Sequence, residues 1–200
     1  MDAFAICGYI WTAWVIVWVL WAFQSKKIRQ REDNTSRISY SIVVWASAYL
    51  IFFGGRLRGF WHYEIIPYAS WLGWAGIVIT ALGFAFALWA RLRLGSNWSG
   101  TVTIKVGHTL IRTGPYRWVR HPIYTGIVIA MAGTAIALNQ WRGVVAVFVL
   151  WVALTMKRLK EEEFMRQTFG AQYIEYSQTT GAIFPLLMRR HSSTSPLIRS

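Results

Sequence analysis

The sequence predicts an all-α integral membrane protein: about five transmembrane helices, a long polar loop and a helical C-terminal segment. Three observations predict it. Hydrophobic residues make up 55% of the 200 positions and charged residues 14%, at a mean hydropathy of +0.35, far from soluble composition. Five uncharged stretches punctuate the chain, and 18 of its 21 lysines and arginines fall in connections that a five-span topology puts on one side.

The first stretch, Ala3 to Ser25, has 23 residues, enough to cross a hydrocarbon core of about 30 Å as a helix. Asp2 follows Met1 without a basic start or a small-residue cleavage site, so this segment is expected to be retained as a span. Trp11, Trp14, Trp18 and Trp21 repeat along it at helical spacing and read as a packing or lipid-facing stripe. Cys7, the single cysteine, lies inside this span and forms no intrachain disulfide. The second span is Ile38 to Gly55 (18 residues) and the third Ile65 to Ala90 (26). Pro122 to Trp141 (20) gives the fourth. Gly143 to Met156 is short at 14 residues; it reaches across by using Asn139 to Arg142 as an interfacial turn and letting Lys157 snorkel.

Charge sets the orientation. Lys26, Lys27, Arg29, Arg31 and Arg37 share a side with the basic residues of 91–121 and of 157–200, whereas Arg56, Arg58 and Arg142 lie opposite. The carboxyl end is therefore expected in the cytoplasm and the amino terminus outside. The net charge of +13 then serves anionic head groups, and no nucleic-acid partner is needed to explain it. With no charge near the middle of any span and no internal repeat, ion pathways and inverted-repeat transport are disfavoured. Gly54-Gly55-Arg56-Leu57-Arg58-Gly59 follows an apolar span, not a strand, and is discarded as a dinucleotide fingerprint.

Function is expected in the two polar stretches. The 31 residues from 91 to 121 form an unusually long connection, with Val102 to Val106 as a short strand. It feeds into the fourth span through Arg120-His121-Pro122; Pro122 suits a helix's first turn, and the basic pair stands at an end that favours anions. The same pair also suits a plain head-group boundary. After the fifth span come Lys157, Arg158, Lys160 and the run Glu161-Glu162-Glu163. These residues form either a solvated helix face with i,i+4 pairs, or one wall of a site bearing both signs that holds a zwitterion. His62 and His191 have no spaced metal-type partner, so no metal is expected, and no nucleophile elbow occurs.

In order, His108-Thr109-Leu110-Ile111, Gly114 with Tyr116, the run Arg120 to Gly126, Glu161-Glu162 with Phe169-Gly170, and Tyr173 with Tyr176 resemble the isoprenylcysteine carboxyl methyltransferase family and the related membrane phospholipid methyltransferases, over about residues 91 to 185. The resemblance implies S-adenosylmethionine as cofactor, lined by His108, Thr109, Leu110, Ile111, Tyr116, His121, Pro122, Ile123, Tyr124 and Glu161 on the cytoplasmic side. It implies Lys157, where the family commonly has arginine, and Arg120 on the substrate side. No general base is assigned. The implied organisation is three N-terminal spans (1–90), a catalytic methyltransferase region with spans four and five (91–185), and a flexible tail (186–200).

The expected reaction is carboxyl O-methylation of a prenylcysteine-like or other lipophilic acid, with lipophilic or lipidated substrates and membrane lipids as partners. The alternatives are ethanolamine N-methylation of a phospholipid, a sterol-reductase-like enzyme using a nicotinamide nucleotide, and a non-catalytic lipid-binding protein. The glutamate pair favours a cationic cofactor over a diphosphate.

Overall fold

The computed structural model describes residues 2–22, 28–31, 34–57, 59–95, 103–105 and 109–186. Its helices are α1 (Ala3–Ala22), α2 (Asn34–Ala48), α3 (Ser70–Leu94), α4 (Pro122–Leu138), α5 (Trp141–Phe169) and α6 (Ala171–Thr179). The strand expected in the long loop forms as β2 (Thr103–Lys105), paired antiparallel with β1 (Ile28–Arg31) from the connection between spans one and two, with Ile28 opposite Lys105 and Arg31 opposite Thr103. This ribbon apart, the regular structure described is helical. Three segments are long and apolar enough to cross a membrane, Ala3–Trp21, Ile38–Arg56 and Ser70–Leu94, and α4 is a shorter apolar helix. The expected tail, 186–200, lies outside the described residues beyond Leu186.

α3 and α4 form the tightest pair. Between lipid-facing helices the hydrophobic effect supplies no drive, so association depends on close backbone approach through small residues. Gly76, Thr80, Gly83 and Ala87 on α3 meet Gly126, Ala130, Gly133 and Ala137 on α4. A Cβ on Gly83 would stand 2.5 Å from the Ala130 nitrogen, and one on Gly133 2.5 Å from the Thr80 nitrogen, so neither position admits a side chain. Thr80 lies at the centre of this seam, where its hydroxyl donates to the Gly76 carbonyl at 2.8 Å. The tryptophan stripe of α1 packs rather than facing lipid throughout: Trp11 Nε1 donates to Thr134 Oγ1 at 2.9 Å and Trp14 stacks on Phe84 at 4.4 Å.

The short fifth span is part of a 29-residue helix, about 43 Å long. Asn139, left-handed at φ 52°, closes α4, and α5 starts at Trp141, so the expected turn is present. Arg142, in that turn, is enclosed by protein. It is 6% exposed, and its guanidinium donates to the carbonyls of Ile51 at 3.0 Å and Leu50 at 3.5 Å. The cause lies in α2, which widens into a π-helical turn (Tyr49–Phe53) and then a 3₁₀ turn (Gly54–Arg56). Such changes of pitch strand carbonyls without an intrahelical donor, and Arg142 supplies one.

Candidate active site

At the amino end of α4, side chains of α2, α4 and α5 converge with α6 and the segment after it. His121 is the residue just before the helix, φ −122° and ψ 60°, and Pro122 occupies the first turn. The backbone N–H groups of Arg120 and His121 donate to the carbonyls of Gly181 (2.8 Å) and Ala182 (2.9 Å), and Thr125 Oγ1 donates to the Ile183 carbonyl at 2.6 Å. A strap, Thr180 to Ile183, thus runs along the start of α4. It uses two N–H groups that otherwise could receive an anion.

His121 lies between two carboxylates. Its Nδ1 is 3.4 Å from Glu161 Oε2 and its Nε2 3.2 Å from Glu162 Oε1, while its ring stacks nearly parallel on Tyr124 at 5.4 Å. Burial pushes the imidazole pKa down, but the hydrogen bonds and charges of Glu161 and Glu162 outweigh it, and the net shift is upward. Tyr124 donates its hydroxyl to Glu161 Oε1 at 2.6 Å. Burial raises the Glu161 carboxyl, yet the His121 hydrogen bond and the Lys157 charge hold it below the usual carboxylate value. Lys157, expected to snorkel, points its ammonium at two ring faces, 5.6 Å from the Tyr40 centroid and 5.5 Å from that of Tyr124.

Glu162 is the hub. Its side chain is 3% exposed, and its oxygens meet Arg120 (3.0 Å), Arg158 (3.3 Å) and Arg166 (3.5 Å) as well as His121. Burial opposes its charge, but His121 and Arg120 hold the carboxyl down to about 2. Arg120 makes further contacts here: besides Glu162, Nη1 donates to the carbonyls of Ser177 (3.0 Å) and Thr180. Tyr116 lies buried beneath, accepting at its carbonyl from Tyr176, whose phenol burial pushes up to about 12. Ile123 is buried in the core with Tyr124, Leu110 and Ile111 are half-buried, and Thr109 is exposed. His108 lies outside the described residues.

The sequence profile of the isoprenylcysteine carboxyl methyltransferase (ICMT) family matches residues 74–167, from α3 to the Glu161–Glu163 turn and beyond. Over residues 74–167 the chain is similar to the isoprenylcysteine carboxyl methyltransferase family. Protein-S-isoprenylcysteine O-methyltransferase of Saccharomyces cerevisiae is 33% identical over 115 residues, 56% of this chain and 48% of that protein. The probable protein-S-isoprenylcysteine O-methyltransferase of Oryza sativa subsp. indica is 32% identical over 58% of this chain and 62% of its own length. The solved structure of the eukaryotic intramembrane Ras methyltransferase ICMT superposes at a TM-score of 0.56 with 25% identity, covering 78% of this chain and 54% of that one. The chain spans about half to two thirds of the length of these relatives. With its apolar helices, this likeness makes the protein an integral multi-pass membrane protein.

The matched region begins inside α3, further toward the amino end than the motifs placed it. Of the residues read from sequence, the structure brings His121, Tyr124, Lys157 and Glu161 together. Glu162 was read only as half of a glutamate pair and Arg158 as a candidate partner of an anionic acceptor; Arg166 had no assigned role, though the i, i+4, i+8 spacing of the three marks one face of α5. No sequence signal announced the strap or Tyr40.

Proposed function

We propose that the protein is a membrane methyltransferase that esterifies the carboxylate of a prenylcysteine-like or other lipophilic acid, with S-adenosylmethionine as donor and the site facing the cytoplasm. The catalytic region is then 91–185, resting on the N-terminal spans of 1–90. The observation that carries this reading is the pairing of Glu161 and Lys157, opposite charges joined through the Tyr124 side chain. A carboxylate beside an aromatic face suits the cationic groups of the donor, and the ammonium across Tyr124 suits an anionic acceptor. Thr109 to Ile111, Tyr116 and His121 to Tyr124 would line it with Glu161, His108 joining from the loop; Lys157 is the closer candidate for the acceptor, with Arg120 behind it. When bound, the donor supplies an electrophilic methyl group, leaving alignment and exclusion of water to the protein.

Protonation favours an acid acceptor. A carboxylate acceptor would take the methyl group that the bound donor would supply without any proton moving, so the residues here would need only to hold and align it. A carboxylic acid with a pKa near 4 is already ionised at neutral pH. An ethanolamine nitrogen must first lose a proton. Glu161, held below its ordinary pKa, is a poor acceptor for it.

The test offers purified protein labelled donor with a prenylcysteine acid and a phosphatidylethanolamine in parallel. Base-labile methyl ester from the acid is expected; stable N-methyl product from the phospholipid alone overturns the reading. Orientation is tested by labelling Lys160→Cys in a Cys7→Ala background, which should stay unreactive to an impermeant reagent added outside intact cells.

A further inference from the structure

Lys157 carries the acceptor role in the proposed reaction, yet a lysine has a flexible four-carbon stem and no planar fork to fix a carboxylate. Something else must fix it. The structure places its ammonium within about 6 Å of two ring centroids, where the negative face of an aromatic ring attracts a cation. Tyr124 belongs to the site already described. Tyr40 comes from α2, is 5% exposed, and lies outside the family-matched residues, in the half of the chain that held no motif.

The two rings approach Lys157 from different helices, α2 and α4, so the ammonium is held at a three-helix junction with α5. Tyr124 is itself anchored, because its hydroxyl donates to Glu161 at 2.6 Å. Tyr40 supplies the second face, and with it the ammonium is held from two sides.

We propose that Tyr40 is a positioning residue on the acceptor side: with Tyr124 it fixes the Lys157 ammonium where the carboxylate of the lipophilic acid is received. This rests on the methyl-transfer reading. It makes acceptor recognition depend on α2, while donor recognition stays with α4, α5 and the long loop.

The test compares Tyr40→Leu and Tyr40→Phe in the full-length protein. Binding of a prenyl thioether acid and of its primary amide is measured by calorimetry, beside donor Kd and acceptor KM. Tyr40→Leu should raise the acid's Kd and the acceptor KM about three- to tenfold, the range of a partly desolvated cation–π contact. The amide's Kd and the donor Kd should not change, and Tyr40→Phe should stay within about twofold of wild type. Unchanged acid binding in Tyr40→Leu, equal losses for acid and amide, or a Phe variant as poor as Leu would each overturn the proposal. If Tyr40→Leu does not fold, ring-fluorinated phenylalanine at position 40 drains the ring face at constant shape and gives the same readout. Because the acid–amide comparison needs no turnover, a wild-type protein that binds the acid but esterifies none overturns the methyl-transfer reading separately.

Discussion

Replacing Glu162 with glutamine keeps the side chain's shape and removes its charge. The loss is calculable in two ways. Arg120 and Glu162 are 11% and 3% exposed and 3.0 Å apart, and His121, 10% exposed, faces the same oxygen; stripping one partner from a buried pair costs about 3–5 kcal/mol. Arg166, 48% exposed, adds little because solvent screens it. Independently, a carboxyl held down to about 2, against 4.5 when unfolded, contributes about 3 kcal/mol at neutral pH. The pKa is depressed, so this contribution is full above about 4.5 and drains as pH falls toward about 2, leaving about 2 kcal/mol at pH 3.5. Equilibrium unfolding of wild type and Glu162→Gln in detergent, followed by tryptophan fluorescence, measures the gap at both pH values. A difference under 1 kcal/mol at pH 7, or one that does not narrow in acid, would refute the hub role.

Glu161→Ala and His121→Ala should each weaken donor binding by about 1.5–3 kcal/mol, the loss of a charge-assisted contact, as read by calorimetry on folded protein. His121 carries the opposite pH sign: its raised pKa gives stability that is full below the ordinary value of 6.5 and lost as pH rises through the raised one, so the wild type should lose stability on the alkaline side. Gly83→Ala pushes a methyl against the Ala130 nitrogen and should cost about 1–3 kcal/mol, whereas Gly8→Ala, with nothing within 4 Å, should be neutral or stabilising; thermal unfolding compares them. Arg142→Met strands the Ile51 and Leu50 carbonyls and should cost about 1–3 kcal/mol, visible as a lower unfolding midpoint with the donor site unchanged.

Hydropathy carries the helices because a bilayer requires a continuous apolar run for each crossing, and the boundaries of α4 were legible from Pro122 and Asn139. The resemblance motifs carried His121, Tyr124 and Glu161, which are local to one helix end or one turn. Glu162 was visible as a letter but not as a hub, because its importance lies in an arginine and a histidine at the entry to α4 as well as in the arginines of its own helix. Charge counting gave Arg142 only a side; a π turn in another helix makes it a buried donor. The glycine seam between α3 and α4 repeats every seven residues, Gly76 to Gly83 and Gly126 to Gly133, yet within uniformly apolar runs that spacing does not reveal its partner helix. Tyr40 carries no periodic signal; only the packing of α2 on α5 gives it a role.

The strap sets an order of assembly. α3 and α4 are joined by a loop and can close their small-residue seam as soon as the second of them has entered the bilayer. His121 cannot reach its final setting then, since the carbonyls that receive its backbone and that of Arg120 belong to Gly181 and Ala182, some 60 residues downstream. A chain still held in the ribosome short of Ile183 would therefore own its membrane-spanning helices without a finished site. Donor affinity should thus arise late in synthesis, and a nascent chain should gain it in one step once residue 183 is free.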